Sequence, residues 1–167
     1  EYIFLVMLGV ISPQRVALSR EWVSARGRTH TGKIRWDLLR RSGTNAQRSH
    51  SPGCFYPIYV DPKTEKIVDV GIPLPDGKSE AIEKVGLVTI LPIRRNGSEG
   101  NWQWSPETIT DRMKQGRVKI GGNFKRGFTV YILKDGEYGK VQRGEFEVDG
   151  FDKNGVLKVL PQDMNTV

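Results

Sequence analysis

The stretch FYPIYVDPKTEKIVDV, residues 55–70, decides the fold class of this chain. Two runs rich in β-branched and aromatic residues, 55–60 and 66–70, flank the segment Asp61-Pro62-Lys63-Thr64. Such runs on either side of a short polar segment with Pro at its second position are typical of a β-hairpin. The sequence therefore predicts two antiparallel strands here.

The same strand-like pattern continues towards the C-terminus. A helix is predicted from Ser105-Pro106, where Ser caps and Pro fits the first turn, to Gly116. Asp135-Gly136 and Asn154-Gly155 are dipeptides typical of hairpin turns, because these turns need positive φ angles. Residues 54–167 are thus predicted to form a small, mostly antiparallel β domain. Its further strands are predicted over 87–93, 117–120, 128–133, 144–148 and 156–160.

The sequence before this domain has a different character. The run YIFLVMLGVI, residues 2–11, is continuously apolar and predicts a strand buried on both faces, whose parent sheet lies elsewhere. Ser12-Pro13 predicts a helix start, a second short helix is expected over 33–41, and residues 42–53 are expected to be loop. Residues 1–53 therefore form an apolar strand with a basic helical arm, and the overall class is α+β. Because the chain starts with Glu directly against the apolar run, we expect a piece of a longer protein.

Positive charge is concentrated at the front of the chain. The sequence holds 26 basic and 19 acidic residues, but residues 1–50 hold nine basic and three acidic ones. Clustered Lys and Arg gain affinity for a polyanion by displacing its counterions. The distribution favours a nucleic-acid partner, with a basic protein that binds no nucleic acid as the alternative.

Several other classes of protein are disfavoured. The single Cys54 excludes an internal disulfide and fits a reducing cytoplasm, and no apolar stretch is long enough to cross a bilayer. We therefore expect a cytoplasmic protein with no membrane partner. His30, His50 and Cys54 are too few for a structural zinc site, so no metal is expected. The chain has no Gly-x-Ser-x-Gly motif and no Gly-rich loop that opens a helix, and we assign no catalytic residue.

The basic segment gives the strongest functional signal. An arginine offers a planar fork to phosphate or to guanine, and Asn or Gln can pair with adenine through two hydrogen bonds. A polar loop bracketed by arginines therefore has side chains suited to holding a duplex, although a solvated helix end is the alternative. The predicted DNA contacts are Arg26, Arg28, Lys33, Arg35, Arg40, Arg41, Asn45, Gln47 and Arg48.

Trp102 and Trp104 alternate on a short extended stretch. Aromatic side chains at this spacing can stack on an extruded base, which makes both candidates for base stacking. The alternative is that they belong to the hydrophobic core.

Four stretches together resemble a known family. They are Trp36 to Arg48 (WDLLRRSGTNAQR), Phe55 to Val60 (FYPIYV), Leu91-Pro92-Ile93, and Glu99 to Ser105 (EGNWQWS). In this order they resemble the modification subunits of type III restriction systems, which are β-class adenine-N6 DNA methyltransferases. The opening Glu1-Tyr2-Ile3 also resembles the strand that follows the catalytic Asp-Pro-Pro-Tyr motif of that family. The chain departs from the family at Ser49-His50-Ser51, where members often carry acidic residues.

The resemblance implies a function that composition could not give. The parent enzyme would flip an adenine and methylate its exocyclic nitrogen from S-adenosylmethionine. The catalytic and cofactor motifs of the family do not occur in this chain, so no cofactor is expected within it. The chain would supply target recognition, with duplex DNA, the rest of the methyltransferase chain and a restriction subunit as partners. Two alternatives stay open: a module that binds RNA or single strands, and a structural β domain that docks an acidic protein.

Overall fold

The computed structural model describes residues 33–160. This part of the chain contains eight strands, two α-helices and two 3₁₀-helices. The predicted strand over 2–11, the predicted helix from Ser12, and the residues Arg26 and Arg28 lie outside the described residues. The strands are β1 (Asp37–Leu38), β2 (Ile58–Asp61), β3 (Lys66–Val70), β4 (Val88–Ile90), β5 (Val118–Asn123), β6 (Gly127–Ile132), β7 (Val148–Phe151) and β8 (Leu157–Val159). The α-helices are α1 (Pro106–Lys114) and α2 (Asp135–Gln142), and the 3₁₀-helices are Arg48–His50 and Pro52–Cys54.

The strands form three antiparallel sheets, with the orders β3-β2-β4, β1-β6-β5 and β7-β8. The predicted hairpin over 55–70 is confirmed as β2 and β3. Residues 58–60 are all buried because β2 is the central strand of its sheet. The small, mostly antiparallel α+β architecture expected from the sequence is therefore confirmed.

The predicted start and end of α1 are also confirmed. The Ser105 hydroxyl accepts a hydrogen bond from the Thr108 amide at 3.3 Å, and Pro106 occupies the first turn. Gly116 follows the helix with φ +70°, a conformation that glycine adopts without steric cost. Local residue chemistry is sufficient to fix this helix.

The helix predicted over 33–41 is wrong. Residues Asp37–Leu38 form β1, and the Leu39 amide continues the pairing by donating to the Val130 carbonyl at 2.9 Å. Pairing with β6 satisfies the backbone and buries Leu39 completely, whereas Leu38 keeps 40% of its surface exposed. A short segment with weak helical periodicity gains more from a sheet edge and a core position than from an isolated helix.

The hairpin turn predicted at Asp135-Gly136 is wrong as well, because α2 begins at Asp135. Asp135 and Glu137 lie in its first turn, where negative charge is stabilised by the helix dipole. The predicted Asn154-Gly155 turn is confirmed, with Gly155 at φ +79°, and it connects β7 to β8.

One hydrophobic core joins segments from both sides of the predicted boundary at residue 53. Leu39 packs in the same cluster as Tyr56, Trp102 and Ile109. Residues 33–160 accordingly belong to one compact unit. None of the helices within this range is long and apolar enough to cross a membrane.

Candidate functional site

Two loops enclose a groove of about 290 Å³ at one end of the β1-β6-β5 sheet. We call it the basic groove, since arginines make up half of the described residues that line it, and none of those residues is acidic. Its lining residues are Leu38, Arg40, Arg41, Ser42, Gly43, Arg94, Arg95 and Asn96.

The first wall of the groove follows β1. Arg40 forms an isolated β-bridge with Trp102, and the Arg41 amide donates to the Asn101 carbonyl at 3.0 Å. The chain then turns at Gly43, which has a φ of +91°. Backbone pairing to residues 101–102 therefore fixes the position of Arg40 and Arg41.

The second wall is a tight turn over residues 94–97. The Arg94 amide donates to the Ser98 carbonyl at 2.9 Å, and Gly97, at φ +81°, donates back to the Arg94 carbonyl at 2.9 Å. The Asn96 side-chain oxygen accepts from the Ser98 hydroxyl at 2.7 Å. The Arg40 guanidinium joins the two walls by donating to the Ile93 carbonyl. Both pairs of arginines are thus held on ordered backbone.

Within the part of the chain that the structure describes, the four arginines of the groove lack a neutralising partner. Among residues 33–160, neither Arg40 and Arg41 nor Arg94 and Arg95 form an ion pair with a carboxylate. The Nε atom of Arg41 is buried and has no hydrogen-bond partner in this part of the chain. Four like charges on facing walls create a positive potential that favours an anionic ligand.

The polar loop that follows the first wall, residues 44–47, is held by a buried side chain. The buried Asn101 side-chain amide donates to the carbonyls of Asn45 at 3.1 Å and of Gln47 at 2.8 Å. Asn45 and Gln47 themselves are exposed. The loop therefore has a fixed backbone, and both of its amide residues are accessible to a ligand.

Gly100 is closely surrounded by backbone atoms of the segments next to the two walls. A Cβ atom placed there would lie 2.6 Å from the Pro92 carbonyl oxygen and 3.3 Å from the Ala46 carbonyl oxygen. These backbone atoms cannot rotate away as a side chain could. We expect Gly100→Ala to lower the free energy of unfolding by about 2 kcal/mol through overpacking, as measured by urea denaturation. The control Gly136→Ala adds a Cβ where no neighbour lies within 4 Å. Equal stability of the two variants would contradict this packing.

Arg48 occupies a different environment from the other predicted contacts. Its guanidinium donates to the carbonyls of Leu74 at 2.8 Å, Pro75 at 2.6 Å and Lys78 at 2.9 Å. It also pairs with Glu99 at 3.1 Å, and only 8% of the side chain is exposed. Its Cζ atom lies 4.0 Å from the centre of the Phe55 ring. Arg48 therefore ties the loop over residues 71–87 to the rest of the protein.

Glu99 is the acidic partner in this arrangement. A hydrogen bond from Ser79, and then the hydrogen bond and charge of Arg48, lower the pKa of its carboxyl group. The side chain is therefore ionised at neutral pH. Glu99 thus neutralises the charge of Arg48, whereas the groove arginines have no such partner among the residues that the structure describes.

Trp102 and Trp104 do not form a stacking platform together. Trp102 is 3% exposed, donates from its indole nitrogen to the Tyr56 carbonyl at 2.8 Å, and belongs to the hydrophobic core. Trp104 is partly buried against that core, and the centre of its ring lies 5.8 Å from the Cζ atom of Arg117. Of the two interpretations, a position in the hydrophobic core applies to Trp102, because a base cannot stack on a buried ring.

The remaining predicted contacts lie near the start of the described range. Lys33 is exposed, and Arg35 pairs with Asp37 at 3.0 Å while 65% of its side chain stays exposed. The predicted basic cluster is thus divided by the fold. Arg40 and Arg41 face the groove and have no carboxylate partner among residues 33–160, whereas Arg35 and Arg48 are paired.

The sequence reasoning missed Arg94 and Arg95. The signal that could have found them is Arg94-Arg95-Asn96-Gly97, two cations in an Asn-Gly turn directly after the predicted strand over 87–93. They were overlooked because the charge balance after residue 50 is nearly neutral. Only the fold brings them opposite Arg40 and Arg41.

The described residues offer few groups for covalent or metal chemistry. Burial raises the pKa of the Cys54 thiol, although the nearby Arg41 charge opposes this effect. The thiol is therefore largely protonated at neutral pH and a weak nucleophile. Between residues 33 and 160, no group of three His, Cys, Asp or Glu side chains could hold a metal ion.

Comparison with known proteins relates the chain to one class of enzyme. Over 82 residues it is 33% identical to the Type II methyltransferase M.KpnI of Klebsiella pneumoniae, an alignment that covers 48% of this chain. The alignment covers 17% of the relative, so the chain spans a small part of that protein's length. No family model and no solved structure matches the chain. The similarity supports a relationship between this chain and methyltransferases.

Proposed function

We propose that this chain binds duplex DNA through the basic groove and supplies target recognition to a DNA methyltransferase. The observation that carries the proposal is the set of four arginines, on two facing walls, without carboxylate partners among the described residues. The similarity to a type II methyltransferase supports the same assignment.

The groove and the adjoining loop have separate tasks in this proposal. Arg40, Arg41, Arg94 and Arg95 contact phosphates, because a guanidinium fork matches two phosphate oxygens. The exposed Asn45 and Gln47 contact base edges, where an amide can pair with adenine through two hydrogen bonds. Phosphate contacts would set the register, and the amides would read sequence.

Methyl transfer itself belongs, in this proposal, to a catalytic domain outside the residues described here. The motif order seen in the sequence favours transfer from S-adenosylmethionine to the exocyclic nitrogen of adenine. The most specific part of the proposal is that the parent is a type III modification subunit, with a restriction subunit as a further partner. It depends on the resemblance of the four motifs.

The salt dependence of DNA binding tests the proposal. For a mixed-sequence duplex, we expect Arg40→Ala/Arg41→Ala and Arg94→Ala/Arg95→Ala each to reduce the slope of log K against log salt by about two. The second double variant is the more direct test, because Arg40 also joins the walls through Ile93. Fluorescence anisotropy between about 50 and 200 mM salt measures the slope.

The matched control is Lys114→Ala/Arg143→Ala. It removes the same charge from exposed residues that already pair with Asp111 and Glu145, and we expect its slope to stay within one unit of the wild-type value. Slopes for both groove variants that equal the wild-type slope, in proteins with native unfolding curves, would overturn the proposal. A wild-type preference for single-stranded over duplex DNA, or salt-dependent binding of an acidic protein instead of DNA, would do so too.

A further inference from the structure

The hairpin formed by β5 and β6 ends in a three-residue loop, Phe124-Lys125-Arg126. The loop is bounded by the paired residues Asn123 and Gly127. Phe124 keeps 69% of its surface exposed, although burial of a phenyl ring away from water is energetically favourable. No contact within the described protein explains an aromatic side chain at this position.

Hydrogen bonds and two glycines at its base shape the turn that carries the tip. The Arg126 amide donates to the Asn123 carbonyl at 3.2 Å and to the Asn123 side-chain oxygen at 2.9 Å. Gly122 and Gly127 adopt φ angles of +87° and +84°, and a Cβ on Gly122 would lie 2.2 Å from the Gly127 carbonyl oxygen. The Phe124 ring is therefore presented on an ordered turn, so little ordering entropy is lost when it binds.

The charges beside the ring are both positive. Lys125 and Arg126 are exposed, and neither forms an ion pair within residues 33–160. An apolar ring beside two cations complements a base step with its flanking phosphates. The exposed area of one ring is too small for a stable protein interface, which needs about 800 Å² on each side.

The tip and the basic groove lie at the same end of the sheet. β1 runs antiparallel to β6, so the chain that leaves β1 for the groove runs towards the end of β6 that carries the tip. Leu39 pairs at the level of Val130, five residues from Lys125, which is roughly 17 Å at the rise per residue of a strand.

We propose that the hairpin tip is a second DNA-binding element, in which Phe124 inserts as a wedge at a base step. Lys125 and Arg126 contact the phosphates on either side of the step. This inference rests on the proposed function, since it takes duplex DNA as the partner. It adds local opening of the duplex, a property that the basic groove alone does not provide.

A duplex with one mismatched pair provides the test, because a mismatched step costs least to unstack. Compared with the same duplex fully paired, we expect the wild-type chain to bind the mismatched one about tenfold more tightly. Phe124→Ala should lose this preference and keep the wild-type salt slope. Lys125→Ala/Arg126→Ala should keep the preference and reduce the slope by about two.

Phe151→Ala is the matched control. It removes a phenyl ring of similar exposure, 58%, from the β7-β8 hairpin, and we expect it to keep both the preference and the slope. Retention of the mismatch preference by Phe124→Ala, or its absence in the wild-type chain, would overturn the wedge. If the wild-type chain binds DNA with a slope that depends on the groove arginines but shows no mismatch preference, only the wedge fails. If it binds no duplex at all, the proposed function and the wedge fail together.

Discussion

Arg48→Ala is expected to lower the free energy of unfolding by about 3 kcal/mol, because it removes a buried guanidinium that donates to three carbonyls and a carboxylate. The substitution leaves the carbonyls of Leu74, Pro75 and Lys78 without their charged donor, and it removes the partner of Glu99. The stacking of Arg48 on Phe55 is lost as well. Urea denaturation followed by tryptophan fluorescence measures the effect.

Arg48→Lys separates this structural role from a phosphate contact. A lysine keeps the charge, but its single ammonium group cannot reach three carbonyls and a carboxylate with the geometry of a guanidinium. We therefore expect it to recover less than half of the lost stability. The control Arg95→Ala, on an exposed side chain, should change stability by no more than about 0.5 kcal/mol. Wild-type stability in Arg48→Ala would show that the described contacts contribute nothing.

Trp102→Ala is expected to destabilise the protein by about 4 kcal/mol, as is typical when a large aromatic side chain is removed from a core. The ring packs in the cluster that contains Leu39, Ile58 and Ile109, and its indole nitrogen donates to the Tyr56 carbonyl. Thermal or urea unfolding, at equal protein concentration, gives the change.

Trp104→Ala is the control for this prediction, since Trp104 is only partly buried. We expect Trp104→Ala to lower the free energy of unfolding by about 2 kcal/mol less than Trp102→Ala does. If Trp102 served instead to stack on a base, Trp102→Ala would stay close to wild-type stability and lose affinity for DNA. That result would contradict the core position described here.

Local sequence was sufficient for several elements. The hairpin of β2 and β3 follows from two runs of β-branched and aromatic residues around Asp61-Pro62, and α1 follows from Ser105, Pro106 and Gly116. These signals act over a few residues, through turn geometry and backbone capping. The confirmed elements are those in which neighbouring residues provide the deciding interactions.

Two of the wrong predictions concern segments where distant residues decide. Residues 37–39 form a strand because their backbone pairs by hydrogen bonds with β6, which lies some ninety residues later in the chain. Asp135 starts a helix, and its carboxylate pairs with the buried Arg117, which lies 18 residues earlier in the chain, directly before β5. Local propensity carries no information about either partner.

The sequence by itself determined that the described chain is a small antiparallel domain and that its basic residues include a cluster before residue 50. Only the tertiary structure decided which of those charges face solvent. Arg48 is neutralised by Glu99 and by carbonyls of a loop some thirty residues away, whereas Arg40 and Arg41 are joined by Arg94 and Arg95 across the groove. The physical reason is that residue type fixes a charge, while its availability depends on the acceptors that the fold brings within hydrogen-bond distance.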